Sequence, residues 1–318
     1  MPPAADPRNL AEEIRAGLSG PGQKRIPSRW LYDDVGSALF EVICLMPEYG
    51  LARADARILR SHAAEMAALV GRPACVAELG SGSGWKSRLL LAPLAREAPL
   101  TYIPIDISRA ALARCETEMM AVRGLLVDRF EGEYLAGLSY AAASRETGEP
   151  LLVLFLGSTI GNFERAEAEE FLVEIRRILS PGDMILLGTD LIKPEEDLLA
   201  AYDDPARITA AFNLNVLARL NRELQADFDL LRFSHEARWN AAQRRIEMHL
   251  CSIGAQAVDI PGARLRIALR SGESLWTESS HKFTPEEPAI LAQRTGYQVV
   301  CRWSDGLWPF SETLLRAD

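Results

Sequence analysis

The segment Glu78-Leu-Gly-Ser-Gly-Ser-Gly84 lies where a strand pattern gives way to a helix pattern. The apolar run Cys75-Val-Ala-Glu-Leu79 leads into it, and the residues from Trp85 to Glu97 carry apolar side chains at helical spacing. Glycines at a strand end let the backbone approach a ligand closely, and the first NH groups of the next helix face that ligand. The segment therefore predicts a ligand-binding turn at the edge of a buried sheet.

The glycine spacing excludes two common nucleotide-binding motifs. A dinucleotide-binding G-x-G-x-x-G would need its third glycine at the position of Trp85. A phosphate-binding G-x-x-x-x-G-K-[ST] loop would need glycine at the same position, before Lys86 and Ser87. What remains is E-x-G-x-G-x-G, which resembles the first motif of the class I S-adenosylmethionine (SAM)-dependent methyltransferases.

Two acidic positions farther along the chain fit the same ligand. Asp106 ends the second predicted strand, 26 residues after Gly80, where a carboxylate can accept both ribose hydroxyls of an adenosine. Glu133-Tyr134 follows the third predicted strand and resembles the acid-aromatic pair that such enzymes place against the adenine. The resemblance implies that SAM is held by Gly80, Ser81, Gly82, Lys86, Asp106, Glu133 and Tyr134.

Short apolar strands alternate with amphipathic helices from about residue 75 to residue 190. We predict strands at Cys75–Leu79, Leu100–Ile107, Leu125–Val127, Leu151–Leu156 and Met184–Gly188, and helices at Trp85–Glu97, Arg109–Val122 and Ala166–Leu179. This alternation is typical of a parallel sheet with helices on both faces, which right-handed connections wind into a Rossmann-like sheet. The predicted fold class is α/β.

The pattern changes after Asp190. Two helices are predicted over about residues 195 to 226, followed by strand-like alternation over 229 to 279, as in Arg245–Leu250 and Arg264–Leu269. The α/β pattern returns with a helix at Pro285–Thr295 and a strand at Tyr297–Trp303. We expect a SAM-binding methyltransferase domain of residues 56–192 and 283–318, and a mixed α+β substrate-binding domain of residues 1–55 and the insertion 193–282.

The composition narrows the range of partners. The 318 residues include 44 acidic and 35 Lys or Arg side chains, for a formal charge of −9, and 48% are hydrophobic. These values predict a globular chain, and the absence of a basic cluster argues against nucleic-acid binding. The longest apolar run, Leu151–Leu156, is about a third of the ~20 residues that a bilayer span needs, and no signal-peptide core is visible at the start. We expect a cytoplasmic monomer that binds neither nucleic acid nor membrane.

The cysteines and histidines form no recognisable ligand set. The five cysteines are odd in number, widely spaced and without a CxxC pair, and the four histidines form no HExxH pair. We therefore expect neither a disulfide framework nor a metal site.

Motifs spread over nearly the whole chain from about residue 28 resemble one methyltransferase family, the L-histidine Nα-methyltransferases of ergothioneine biosynthesis. The matching segments are Tyr32–Phe40, Pro47–Tyr49, Phe155–Asn162, Leu187–Lys193, Ala200–Asp204, Phe212–Val216, Asn221–Leu224, Ala226–Phe228, Ile246–Met248 and Thr277–Phe283. The resemblance implies methyl transfer from SAM to the α-amine of L-histidine. Three successive transfers would give trimethylhistidine (hercynine).

The resemblance also implies roles for single residues. Tyr32, Tyr202 and Asn162 would bind the α-carboxylate and α-amine, with Tyr32 and Asn162 as the catalytic residues that orient the amine. The imidazole would contact Glu278 and Ser280, which share one face of a strand at i, i+2. Tyr49 would assist, and the pocket would be shaped by Phe40 and Met248. No dedicated general base is demanded, because a neighbouring sulfonium lowers the pKa of the amine.

Several alternatives remain open. Gly50-Leu51 stands where the family has a second tyrosine and a proline, and Trp85 stands where a small or acidic residue is usual. The same chemistry could act on another amino acid such as tryptophan, and a non-catalytic SAM- or metabolite-binding module is a further option. By residue type alone, Phe40 and Met248 also suit core positions, and Lys86 suits an exposed helix position. The tyrosines are likewise compatible with half-buried packing.

Overall fold

The computed structural model describes residues 7–146 and 148–318, which hold ten helices and fourteen strands. The helices are α1 (Pro7–Ser19), α2 (Asp34–Leu45), α3 (Gly50–Val70), α4 (Arg88–Glu97), α5 (Arg109–Met119), α6 (Tyr134–Ala143), α7 (Arg165–Ile178), α8 (Glu195–Tyr202), α9 (Ile208–Leu224) and α10 (Glu287–Arg294). The strands are β1 (Lys24–Arg25), β2 (Cys75–Leu79), β3 (Leu100–Asp106), β4 (Leu125–Val127), β5 (Phe130–Glu131), β6 (Leu151–Phe155), β7 (Met184–Asp190), β8 (Phe233–Asn240), β9 (Arg245–Ser252), β10 (Gln256–Ile260), β11 (Leu265–Leu269), β12 (Ser274–His281), β13 (Tyr297–Ser304) and β14 (Phe310–Ala317).

One compact unit consists of Gly50–Ile192 and His281–Asp318. Its sheet has the strand order β13-β14-β7-β6-β2-β3-β4, and the short β5 pairs with β3. The strands from β2 to β7 pair in parallel, whereas β14 runs antiparallel to both β7 and β13. Every residue of β2 and β6 is buried, as expected for the central strands of a sheet that helices cover on both faces.

The order of the strands reverses at β2. Its neighbours are β3 on one side and β6 on the other, and open parallel sheets bind ligands beyond the carboxyl ends of their strands at such a reversal. The glycine-rich turn leaves β2 at this edge, and Asp106 is the last residue of β3. The predicted Rossmann-like α/β class is therefore confirmed.

A cluster of buried apolar side chains lies along this sheet. It alternates along the strands, with Val153 and Phe155 from β6 and Ile185 from β7, and it continues into Leu172 on α7 and Leu315 on β14. Alternate residues of a strand share one face, so this cluster covers one face of the sheet. Because the cluster covers a face of the sheet and not its edge, the carboxyl ends of the strands stay available for ligand binding.

The second compact unit consists of residues 7–49 and Lys193–Ser280. Its four-stranded sheet has the order β1-β12-β9-β8, and β10 and β11 form a separate antiparallel hairpin. The strand β1 pairs in parallel with β12, and β8 pairs antiparallel with β9. The helix α2 packs against α9, and α8 and α9 pack against β8 and β9.

Most predicted elements lie within a few residues of those observed. The strands β2 and β4 have the predicted bounds, and both helices predicted after Asp190 are present as α8 and α9. The helix predicted from Trp85 begins at Arg88, because the backbone first closes a turn from Gly84 to Ser81. The helix α6 was not predicted, since its sequence, YLAGLSYAAA, is apolar around the whole circumference. Within the described ranges, no single helix is long and apolar enough to cross a membrane.

Candidate functional site

The backbone after β2 turns through three glycines with positive φ. The φ angle is +72° at Gly80, +53° at Gly82 and +72° at Gly84, a region that other residues rarely adopt. A Cβ atom at Gly84 would lie 2.6 Å from Sγ of Cys115, whereas no atom lies within 4 Å of a Cβ built at Gly82. The turn is thus packed against α5 at one glycine and open at another, and a ligand can approach its backbone there.

The Asp106 carboxylate lies beside this turn and keeps acceptor capacity. Its Oδ2 accepts a hydrogen bond of 3.0 Å from the Gly82 NH, and its Oδ1 accepts one of 2.9 Å from the Ser108 NH. Burial raises the pKa of Asp106, and the NH donors oppose that rise. A carboxylate offers about four lone-pair sites, so each oxygen can still accept a ribose hydroxyl.

Tyr134, the first residue of α6, packs over the start of the glycine turn. Its hydroxyl oxygen lies 3.0 Å from a Cβ atom built at Gly80, and its ring centroid lies 6.0 Å from that of Phe155. Burial raises the pKa of Tyr134 far above its ordinary value, so the phenol stays neutral. Glu133 directly precedes α6. The structure therefore brings the predicted acid-aromatic pair to the glycine turn.

A buried carboxylate ties the turn to the sheet. Glu78 on β2 accepts a hydrogen bond of 2.6 Å from the Ser87 hydroxyl and another from the Tyr102 hydroxyl. Burial raises the pKa of Glu78 to about 7, against the lowering effect of these two hydrogen bonds. Because Ser87 precedes α4 directly, Glu78 fixes the exit of the turn from inside the sheet. The sequence-based prediction gives this residue no role.

Lys86 forms an ion pair with the fully buried Asp55 on α3. The Lys86 ammonium also lies 3.3 Å from a Cβ atom built at Gly157, which follows β6. Glu312 on β14 is fully buried as well. Burial and then the charge of Asp55 raise the pKa of Glu312 well above its ordinary value. Lys86 is thus held at the reversal of strand order by its ion pair with Asp55.

These residues fit the adenosine and amino-acid parts of SAM. The open backbone at Gly82 and the remaining acceptor capacity of Asp106 suit a ribose, and the Tyr134 ring supplies an apolar surface. Lys86 supplies a cation near the reversal of strand order. In the described parts of the chain, no group of three or more His, Cys, Asp or Glu side chains could hold a metal ion.

In the other unit, Asp33 anchors the start of α2. Its Oδ1 accepts hydrogen bonds from the Gly36 NH at 2.8 Å and from the Asn215 amide at 2.7 Å, and its Oδ2 pairs with Arg222 at 2.6 Å. Both Asn215 and Arg222 are on α9. Asp33 therefore fixes the residue before it, Tyr32, relative to α9.

Five aromatic side chains form what we call the aromatic cluster: Tyr32, Phe40, Tyr49, Tyr202 and Phe212. Its ring centroids are 5.5 Å apart for Tyr32 and Phe40, 6.1 Å for Phe40 and Tyr49, and 6.0 Å for Tyr49 and Tyr202. Phe212 on α9 lies 5.3 Å from Tyr32 and 6.0 Å from Phe40. Tyr32 and Phe40 are half-buried and the other three are buried, so the cluster has one accessible side.

Two polar side chains on β12 meet the hydroxyls of this cluster. The Tyr32 hydroxyl donates to Oε1 of Glu278 at 3.2 Å, and the hydroxyls of Tyr202 and Ser280 share a hydrogen bond of 2.7 Å. Trp276 on the same strand donates from its indole NH to the Glu278 carbonyl at 2.8 Å. Glu278 and Ser280 therefore point to one face of β12 and line the aromatic cluster with polar groups.

The remaining predicted substrate residues have separate positions. Met248 on β9 is buried, and its carbonyl accepts a hydrogen bond of 3.0 Å from the Thr277 hydroxyl. Asn162 belongs to the first unit, where it ends the 3-10 turn Thr159–Asn162 after β6. That turn is held by Ser158, which has a left-handed φ of 60° and whose hydroxyl accepts from the Asp190 NH at 2.9 Å.

Besides Glu78, three contributors around the aromatic cluster have no role in the sequence-based prediction. Phe212 completes the aromatic cluster, Asp33 anchors α2, and Trp276 holds the Glu278 backbone. Asp33 and Phe212 lie in segments that resemble the family's motifs, whereas Trp276 lies just before such a segment. Their roles depend on contacts between distant segments, such as Asp33 with Asn215, 182 positions apart.

Gly50, which stands where the family has a second tyrosine, lies directly against the Trp308 ring. A Cβ atom at this first residue of α3 would lie 2.2 Å from a ring carbon of Trp308. The Trp308 indole NH donates to Asp190 Oδ1 at 3.3 Å, and Asp190 forms a 2.9 Å ion pair with the buried Lys282. The indole thus occupies the space that a side chain at position 50 would take.

The sequence is similar to a known protein family over nearly its whole length. A family model described as "Histidine-specific methyltransferase, SAM-dependent" matches residues 10–317. A histidine N-alpha-methyltransferase of Mycolicibacterium smegmatis is 41% identical over 311 residues, covering 96% of this chain and 94% of that protein. One of Mycobacterium tuberculosis is 38% identical over 307 residues, with the same coverage of 96% and 94%. Ergothioneine biosynthesis protein 1 of Neurospora crassa is 29% identical over 299 residues, which are 90% of this chain and 32% of that protein.

Proposed function

Since the chain belongs to the family of SAM-dependent, histidine-specific methyltransferases, we propose that it methylates the α-amine of free L-histidine. Histidine as the substrate is supported by Glu278 and Ser280 on one face of β12. Each is hydrogen-bonded to a tyrosine hydroxyl of the aromatic cluster. A carboxylate and a hydroxyl beside aromatic rings suit a flat side chain with ring NH donors. The relative in Neurospora crassa supports a place in ergothioneine biosynthesis.

We propose that the two units divide the binding. The unit of Gly50–Ile192 and His281–Asp318 would hold SAM through Gly80, Ser81, Gly82, Lys86, Asp106, Glu133 and Tyr134. When bound, SAM supplies an electrophilic methyl group on a positively charged sulfur. The unit of residues 7–49 and Lys193–Ser280 would supply all of the predicted amino-acid-binding residues except Asn162. The acceptor capacity of Asp106 and the polar face of β12 support this division.

The α-carboxylate and α-amine would be bound by Tyr32, Tyr202 and Asn162. Tyrosine hydroxyls and an asparagine amide are neutral groups that can donate to a carboxylate and accept from an amine. Glu278 would accept from an imidazole NH, with Ser280 as the second polar partner. Tyr49, Phe40 and Met248 would set the width of the space for the ring.

These residues orient the amine and need not remove its proton. The attacking nitrogen must be neutral and lie about 3–3.5 Å from the methyl carbon, along the line of the breaking bond. A positive charge next to an ammonium group lowers its pKa, so the proton can leave to water before each transfer. Tyr32 and Asn162 would then fix the nitrogen lone pair in the direction of attack.

We further propose three successive transfers, giving trimethylhistidine. The accessible side of the aromatic cluster consists of Tyr32 and Phe40, which present ring surface to the growing group. A methylated ammonium within about 6 Å of an aromatic centroid is attracted by the ring, so the cluster favours the charged product of each step. Aromatic rings also lose no hydrogen bond when N–H is replaced by N–CH₃.

The oligomeric state and the cellular location of the enzyme are also part of what we propose. We propose that it works as a monomer in the cytoplasm, without nucleic acid or membrane as partners. The formal charge of −9 supports the exclusion of nucleic acid. Sedimentation across a range of protein concentrations tests the monomer, because a self-associating chain would sediment faster as its concentration rises.

A substrate panel tests the proposed reaction. The purified protein is incubated with SAM and with L-histidine, L-tryptophan, L-tyrosine or L-phenylalanine, and products are scored by mass for one, two or three added methyl groups. We expect histidine to be converted to the trimethylated product. Turnover of another amino acid without histidine would overturn the substrate, and binding of SAM without any turnover would favour a binding module.

A further inference from the structure

A buried histidine lies behind the substrate-facing tyrosine Tyr202. His235 on β8 places its Nε2 2.8 Å from the carbonyl oxygen of Tyr202, and its Nδ1 2.9 Å from the amide nitrogen of Asn213. The same amide nitrogen lies 3.2 Å from the carbonyl oxygen of His249. Asn213 is fully buried, and His235 is 5% exposed.

The partners determine where the hydrogens lie. A carbonyl oxygen only accepts, so Nε2 of His235 must carry the proton that it shares with Tyr202. The Asn213 nitrogen donates one hydrogen to the His249 carbonyl and the other to Nδ1 of His235, which must therefore be unprotonated. Both hydrogens of the amide and both ring nitrogens are thus used, and the imidazole is neutral.

This arrangement cannot accept a further proton without losing a hydrogen bond. A proton on Nδ1 would face the NH₂ group of Asn213. Rotating the amide would relieve that conflict but would bring its oxygen against the His249 carbonyl, so two acceptors would face each other. The charged groups near the ring are Asp203, Asp204 and Arg207, and burial is the largest effect on the pKa of His235, which it lowers.

We propose that His235 and Asn213 are positioning residues for the amino acid substrate. The neutral imidazole holds the carbonyl of Tyr202, the last residue of α8, and so sets the hydroxyl of that tyrosine against Ser280. The inference rests on the proposed function, because it assigns Tyr202 and Ser280 to substrate binding. It adds that recognition of the amino acid requires a neutral His235, with its single ring proton on Nε2.

Two matched variants test the role of the imidazole donor. His235→Gln keeps an NH donor for the Tyr202 carbonyl, whereas His235→Phe keeps the ring volume without a donor. At one mildly alkaline pH, we expect His235→Phe to raise the KM for L-histidine about tenfold and His235→Gln to change it less than threefold. The affinity for SAM, measured by calorimetry, should stay within twofold in both, which also verifies that the SAM-binding unit is folded.

Nitrogen NMR of the protein without substrate tests the protonation state directly. We expect His235 to show Nε2–H and a bare Nδ1 at pH values where an exposed histidine is half protonated. In Asn213→Asp the carboxylate faces Nδ1, so the imidazole should become doubly protonated near neutral pH. A wild-type enzyme that methylates histidine while His235→Phe leaves KM unchanged, or while His235 titrates like an exposed histidine, would overturn the inference and leave the proposed function intact. A wild-type enzyme without histidine turnover would overturn the proposed function instead.

Discussion

Glu278 is the residue on which the proposed substrate depends most directly. It is 7% exposed, accepts from the Tyr32 hydroxyl, and has its backbone held by Trp276. An ionised carboxylate only accepts hydrogen bonds, so it can pair with an NH group of a ligand but offers nothing to an apolar side chain. The side chain therefore favours substrates that bring an NH group and disfavours purely apolar ones.

We expect Glu278→Ala to raise the KM for L-histidine by about 10- to 100-fold, because it removes the acceptor for the imidazole. The KM for SAM should change less than twofold, since SAM is bound by other residues. Steady-state kinetics with each substrate varied in turn measures both values. The KM of Glu278→Gln for L-histidine should lie between those of the wild type and Glu278→Ala, because the amide keeps an acceptor oxygen. Equal effects of Glu278→Ala on the KM values for L-histidine and SAM would contradict the assignment.

Glu312 should make the free energy of unfolding depend on pH. Its pKa is raised in the folded protein, first by burial and then by Asp55, so the folded state binds this proton more tightly than the unfolded chain does. The stabilisation is complete below the ordinary glutamate pKa and is lost as pH rises toward the raised value, by up to about 1.4 kcal/mol per pH unit. Glu312→Gln removes this dependence.

Urea unfolding at several pH values measures the effect. We expect the difference in unfolding free energy between Glu312→Gln and the wild type to grow in favour of the variant as pH rises. Glu12→Gln, at an exposed position of α1, serves as the control for the loss of one carboxylate outside the core. A constant difference between Glu312→Gln and wild type across pH would show that Glu312 is not protonated in the fold.

At the level of helices and strands, the start of α3 interlocks with the segment before β14. The Trp308 ring fills the space next to Gly50 and donates to Asp190, which ends β7. Three elements thus meet around one indole. A larger residue at position 50 requires a different residue at position 308.

We expect Gly50→Ala to destabilise the protein by about 1–3 kcal/mol, because the added methyl group forces the indole from its position. In a Trp308→Ala background the same change should cost much less, because the obstructing ring is gone. A double-mutant cycle by urea unfolding gives the coupling between the two positions. Additive effects of the two substitutions would show that the ring moves aside freely.

The helices and strands also show which parts of the fold can be predicted from sequence. Strands buried on both faces are predictable because they are mostly apolar: β6 is a continuous apolar run, and β2 is interrupted only by Glu78. The two-residue β5 and the uniformly apolar α6 lack a period that distinguishes them from loops or core. Their positions depend on the sheet against which they pack.

In the candidate site, too, some features could be predicted from the sequence and others could not. The resemblance to the family's motifs was needed to propose Glu278, Ser280 and Tyr32, because by residue type alone a tyrosine equally suits half-buried packing and a glutamate an exposed strand position. The supporting contacts could not be predicted, because Asp33 with Asn215 and Tyr32 with Glu278 join segments 182 and 246 positions apart. Spacing along the chain carries no information about such pairs.

For the molecule as a whole, the proposed division of binding between the units predicts two separate footprints. We expect S-adenosylhomocysteine to slow amide hydrogen exchange in residues 78–84 and around Asp106, because these NH groups would surround the ligand. L-Histidine, added to protein already saturated with S-adenosylhomocysteine, should slow exchange in β12 and α2. Mass spectrometry of peptic peptides measures both, and protection of β12 by S-adenosylhomocysteine alone would contradict the division.

The parallel pairing of β1 with β12 has a consequence for biosynthesis. Lys24 pairs with Leu275, so the two strands are 251 positions apart. At roughly 5–20 residues per second, a ribosome needs about 12–50 s to make the chain between them. During that interval the parallel strands β2 to β7 can already pair. In residues 7–49, β1 still lacks its partner strand β12. The early segment of the nascent chain is therefore the part most in need of chaperone protection, and slow translation of residues 193–274 would lengthen its exposure.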